Sequence, residues 1–139
     1  MMSGAVPAAR AARQEAEPED PDQGSPLAVP AAFVRQLQGL FGAYLRAQEA
    51  LAGDDLDAAR AAGAGIPGEL EHVDRALVAG TAHQTWMSLS ARLRDASTAM
   101  AAAGDLPGAR RAFEALSRAA ISLGRRFGTG LADAVVVVR

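Results

Sequence analysis

Two histidines and a methionine are the side chains in this sequence best suited to binding chemistry. His83 and Met87 stand at i and i+4, so on a helix the imidazole and the thioether come to one side. Nitrogen and sulfur donors in that arrangement suit a soft ion such as Cu(I) or Ag(I). The pair lacks a third ligand, which His72 or Met100 could supply. His72 and His83 are three helical turns apart and share a face if one helix runs through both. A plainer reading of the same residues is structural. A histidine beside Trp86 serves as an interfacial residue with one hydrogen-bonded edge, and Met87 fills space in a core.

Catalytic constellations are not found. Ser88, Ser90, Ser97, Ser117 and Ser122 fall inside expected helices, without the Gly-x-Ser-x-Gly elbow that exposes a nucleophile. The sequence has no lysine, so no phosphate-binding loop of the Walker type can form. The stretch GAGIPG (63–68) resembles a dinucleotide loop only on the surface, because no strand precedes it. Asp54 and Asp55 read as a helix cap and not as an acid–base pair. With no cysteine there is no thiolate, no disulfide and no Cys-based metal site. The expectation is a protein that is not an enzyme.

Composition sets the frame around those residues. A chain of 139 residues fits one domain. Half of it is hydrophobic, yet only 4% is aromatic and alanine is the commonest residue, which favours closely packed helices over a β sandwich. A net charge of −2, with no basic stripe and no interleaving of aromatic and basic residues, argues against nucleic acid as a partner. No apolar window is long enough for a transmembrane segment, and Met1–Ala12 is too short and too broken by Pro7 and Arg10 for a secretory signal.

Residues 1–29 read as a disordered leader. Between Gln14 and Pro26 it carries Glu15, Glu17, Glu19, Asp20 and Asp22 among three prolines, with no large apolar residue. Residues 30–139 read as the folded domain. Phe33, Leu37, Leu40, Tyr44, Ala47 and Leu51 form one apolar stripe after Pro30, ending at Gly53 as a left-handed C-cap. A second helix capped by Asp54 or Asp55 carries Leu56, Ala59 and Ala62, and GAGIPG is expected to break it. A third runs from about Pro67 to Ala103, with a kink or division at Gly80-Thr81. The fourth keeps heptad spacing through Leu106, Ala109, Phe113, Leu116, Ala120, Leu123 and Phe127, and ends at Gly128-Thr129-Gly130. The segments Ala52–Arg60 and Ala103–Arg110 repeat one another around a Gly-Asp turn. Two such helix–Gly-Asp–helix hairpins make an all-α, antiparallel four-helix bundle with a short extended tail at Ala134–Val138. The apolar seams also allow a homo-oligomer, although two hairpins already suffice for a bundle.

Several blocks together resemble a known family. They are Phe33–Leu37, Tyr44-Leu45, Ala50–Ala52 with Asp54-Asp55, His83–Trp86, and Ala109–Ser117, whose R-x-x-F-x-x-L-S pattern is the most specific piece. The family is a small helical domain of uncharacterised function, found alone, often secreted, or at the C-terminus of the periplasmic adaptor (membrane fusion) proteins of heavy-metal, copper and silver, efflux systems. The resemblance covers about residues 31–138. It implies a periplasmic location and an efflux adaptor or metal carrier as partner. Family members commonly continue past the extended stretch into a Cys-Pro-Met; here Ala134–Val138 is followed by Arg139, so those soft ligands are not present to join His83. The expected function is a non-enzymatic contact module with weak Cu(I) or Ag(I) binding at His83, Met87 and His72. The alternative is a ligand-free helical scaffold or dimerisation module of the cytoplasm.

Overall fold

The computed structural model describes residues 25–128. Four helices make up the fold: α1 (Ala31–Ala52), α2 (Leu56–Glu71), α3 (Gly80–Ala101) and α4 (Leu106–Phe127), with a 3₁₀ turn at Arg75–Leu77. Among the described residues there is no strand. The extended tail expected at Ala134–Val138 lies outside them.

Each helix packs antiparallel to the next, and cross-contacts fix the directions. Phe33 at the start of α1 meets Phe127 at the end of α4, with ring centroids 5.2 Å apart. Tyr44 lies flat against Phe113, also at 5.2 Å, and its hydroxyl is 2.9 Å from Ser117 Oγ. At the far end the Arg110 guanidinium donates to the carbonyl of Leu51 at 3.1 Å. α1 and α4 therefore run in opposite senses and close the ring begun by the three short connections. The apolar stripe of α1 is buried at Phe33, Leu37, Leu40, Ala47 and Leu51, with Tyr44 half-buried. The heptad seam of α4 is buried at Ala109, Leu116, Ala120, Leu123 and Phe127, while Leu106 and Phe113 pack at its edge.

The two Gly-Asp turns do the same work. The Asp55 carboxylate accepts from the Ala58 N–H at 3.0 Å, and the Asp105 carboxylate from the Gly108 N–H at 2.8 Å, each satisfying an N–H that the first helical turn leaves open. One detail departs from expectation. Gly53 has φ −93, and the left-handed residue is Asp54 at φ 55. A short polar side chain tolerates that region better than most, and the turn is further held by the ion pair between Asp54 and Arg110.

The middle of the chain is the larger correction. GAGIPG does not break a helix; α2 runs straight through it with Pro67 inside. The reason lies in the stripe Ala59, Gly63, Ile66 and Leu70, spaced 4, 3 and 4, all of it buried. A Cβ on Gly63 would stand 2.9 Å from the carbonyl oxygen of Ser97 and 3.1 Å from the N of Ala101, so α2 and α3 approach closely at this glycine. Tertiary packing on that face outweighs the weak helix propensity of the segment. The break falls later. Val73 and Val78 are buried, Asp74 caps the 3₁₀ turn by accepting from the Ala76 N–H, and the Asp74 N–H donates to Gln36 Oε1 of α1 at 2.6 Å. Gly80, at φ 61, starts α3. No single helix spans Pro67 to Ala103.

The packed part of the chain also begins before residue 30. Leu27 and Val29 pack against the core, the Leu27 N–H donates to the carbonyl of Arg126 at 2.6 Å, and Arg126 Nε donates to the carbonyl of Ser25 at 2.9 Å. Residues 25–29 thus form a strap over the C-terminal end of α4, beneath which Arg126 is fully buried.

Candidate functional site

An open groove of about 690 Å³ lies where the end of α2 and the following turn face α3. Leu70, His72, Val73, Asp74 and Arg75 form one wall, and Trp86, Met87, Ser90, Arg94 and Asp95 the other. Trp86 gives the groove one fixed apolar member. Trp86 is 3% exposed and stands edge-on to Phe33, with centroids 5.6 Å apart. Met87 is 38% exposed, an unusual position for a large apolar side chain, so it does not fill the core. Ser90 is held back on its own helix, donating to the carbonyl of Met87 at 3.1 Å.

The structure rearranges the candidate ligands. His72 is the C-cap of α2 and His83 sits in the first turn of α3, so the two histidines do not share one helix face. Instead His72 and Met87 come from different elements to the walls of one groove. His83 is half-buried and outside that lining, related to Met87 by its i−4 place on α3. Met100 is fully buried in the core and cannot serve as a ligand at the surface. Among the described residues no group of three or more His, Asp or Glu side chains is placed to hold a metal ion. The donor set is one imidazole and one thioether, with a second imidazole a turn away. An imidazole with a thioether suits a soft monovalent ion.

A second surface feature escaped the reading of the sequence, which saw no basic stripe. Arg111, Arg118 and Arg125 recur every seven residues on α4 and are all exposed, with Ile121 between the last two at 54% exposure. The heptad period that placed the buried seam also carried this signal on the opposite face. Alongside it, α3 and α4 leave a shallow groove of about 400 Å³, floored by Ala96, Ala99, Ala112 and Ala115 and edged by Arg92, Asp95 and Arg118.

No helix among the described residues is long and apolar enough to cross a membrane. A four-helix bundle is the class these observations define for the described residues. Comparison with known families then places it: residues 40–131, from the middle of α1 past the end of α4, match the model of a family described as protein of unknown function, DUF3347, and the chain belongs to that family. No curated protein and no solved structure matches the chain.

Proposed function

We propose that this protein is a non-enzymatic helical module that handles Cu(I) or Ag(I) through the groove between α2 and α3 and passes it in contact with a protein partner, an efflux adaptor or a metal carrier. The observation that carries this reading is the placement of His72 and Met87 on the two walls of one open groove beside a rigid Trp86. A soft ion held by one imidazole and one thioether keeps coordination positions that a partner's ligands can enter. Its binding is then weak and exchangeable, as a carrier needs. The resemblance to domains appended to heavy-metal efflux adaptors supports the choice of partner.

The test is a competition titration of the purified chain with Cu(I) against a chromophoric chelator, with His72→Ala, His83→Ala and Met87→Ala alongside. Stoichiometric binding that His72→Ala and Met87→Ala weaken, with a smaller effect of His83→Ala, is the expected result. Binding no greater than the buffer baseline removes metal from the account. Metal-dependent co-purification with an efflux adaptor tests the second half, and an adaptor-free strain without a metal phenotype contradicts it.

A further inference from the structure

Thiols and then thioethers are the side chains that yield most readily to two-electron oxidants. This sequence has no cysteine, so no thiol consumes an oxidant first, and its four methionines are Met1, Met2, Met87 and Met100. Met1 and Met2 lie outside the described residues. The other two stand on one helix, α3, in opposite settings. Met100 is fully buried in the core, whereas Met87 is exposed and lines the open groove between α2 and α3. Trp86, the ring next to it in the chain, is buried. A small oxidant entering the groove therefore meets the Met87 thioether.

With hydrogen peroxide as the oxidant the step balances. The sulfur lone pair attacks one peroxide oxygen, and the S–O bond forms as the O–O bond breaks. The departing hydroxide takes the proton from the transferred oxygen and leaves as water. Sulfur is oxidised by two electrons and the peroxide is reduced by two. The product is polar where the thioether was apolar. In the core that change would bury a polar oxygen, but in the groove the oxygen stays in water. Its consequence there is for ligation. The sulfoxide presents a hard oxygen in place of a soft sulfur, and Cu(I) or Ag(I) prefers sulfur.

We propose that Met87 is the site at which peroxides modify this domain, and that its sulfoxide releases the soft ion from the groove. The first half rests on the contrast between Met87 and Met100. The second rests on the soft-ion reading of the groove. Once Met87 is oxidised, the imidazole of His72 is the one soft-ion donor left in the lining. The modification can be undone. Methionine sulfoxide reductases, one for each sulfoxide epimer, return the thioether and water with two electrons and two protons drawn from thiols. The groove then holds its ion under reducing conditions and gives it up when peroxide is present.

The test treats the full chain with hydrogen peroxide, removes the excess and divides the sample. Trypsin separates the two methionines, Met87 into the peptide 76–92 and Met100 into 95–110. The expected map shows 76–92 gaining one oxygen about tenfold or more faster than 95–110, with the two rates converging in urea. Equal rates in the folded chain, or a faster Met100, overturn the site. The rest of the sample is titrated with Cu(I) against a chromophoric chelator. Oxidation should lower the affinity about tenfold or more, to the level of untreated Met87→Leu. Peroxide should leave Met87→Leu itself unmoved, and Met100→Leu should respond as the unsubstituted chain does. Unchanged affinity in a chain that carries the Met87 sulfoxide overturns the switch and leaves the soft-ion reading in place. A lowered affinity that comes with a lower unfolding midpoint also overturns it, because the damage is then to the fold. An untreated chain that binds no Cu(I) ends the soft-ion reading and the switch together, and the peptide map still decides the site of oxidation.

Discussion

Arg110 links the two Gly-Asp turns through a single side chain. Its guanidinium pairs with Asp54 and also donates to the carbonyl of Leu51, which accepts from the Asp54 N–H as well at 3.1 Å. The ion pair is largely exposed, 47% for Arg110 and 72% for Asp54, so its share is small. Arg110→Ala should lower unfolding stability by up to about 1 kcal/mol, because the Leu51 carbonyl keeps the Asp54 N–H as a partner. Urea unfolding of Asp54→Ala, Arg110→Ala and the double variant checks this, with a coupling of about 0.5 kcal/mol expected between them. The caps Asp55 and Asp105 serve different helices and share no partner. Each replaced by Ala should cost about 1 kcal/mol, and the two costs should add. At the groove, Met100→Leu should leave Cu(I) affinity unchanged where Met87→Leu lowers it, because Met100 is sealed in the core and Met87 faces solvent. Equal losses from both would mean that the effect is one of folding and not of ligation.

At the scale of elements, α2 depends on one glycine being small and is indifferent to another. Gly63 meets backbone atoms of α3 that cannot move aside, so Gly63→Ala should destabilise by about 1–3 kcal/mol despite the better helix propensity of alanine. Gly65 has nothing within 4 Å of the place its Cβ would take, and Gly65→Ala should stabilise by up to about 1 kcal/mol. Thermal unfolding of the two variants should move in opposite directions. This pair also explains what the sequence made legible. The stripes of α1 and α4 were readable because leucine and phenylalanine recur there with unbroken spacing and each helix carries its own cap or stop. α2 was not readable, because three glycines and Pro67 argue locally for a break and the argument against it is a contact with α3 more than thirty residues away. Where the break falls also decides which candidate ligands line one groove. His83 and Met87 could be paired from spacing alone, but the placing of His72 and Met87 along one groove depends on the 72–79 crossover, which Gln36 and the buried Val73 and Val78 hold down.

At the scale of the molecule, the open question is what seals the end of the bundle where Phe33, Trp86 and Phe127 cluster. A guanidinium there is fully buried, and Arg126 is tolerated because its Nε has the Ser25 carbonyl to donate to and no buried side-chain N or O among the described residues lacks a partner. The strap supplies that carbonyl together with the apolar cover of Leu27 and Val29. Its ordering costs backbone entropy of about 1–2 kcal/mol per residue, which roughly offsets the burial it gains. What does not cancel is the loss of the charge-assisted bond from Arg126 Nε to the Ser25 carbonyl, about 2 kcal/mol. The unfolding midpoint of the chain lacking residues 1–24 is the reference for the share of the strap itself. Removing residues 1–29 should lower it by several degrees, as expected for about 2 kcal/mol in a domain of this size. Arg126→Leu combined with the longer truncation should lose less than the sum of the two changes made separately, since the group that needed the strap is gone. Two truncations of equal stability would show that water replaces the Ser25 carbonyl at no cost, and that residues 25–29 rest on the bundle without supporting it.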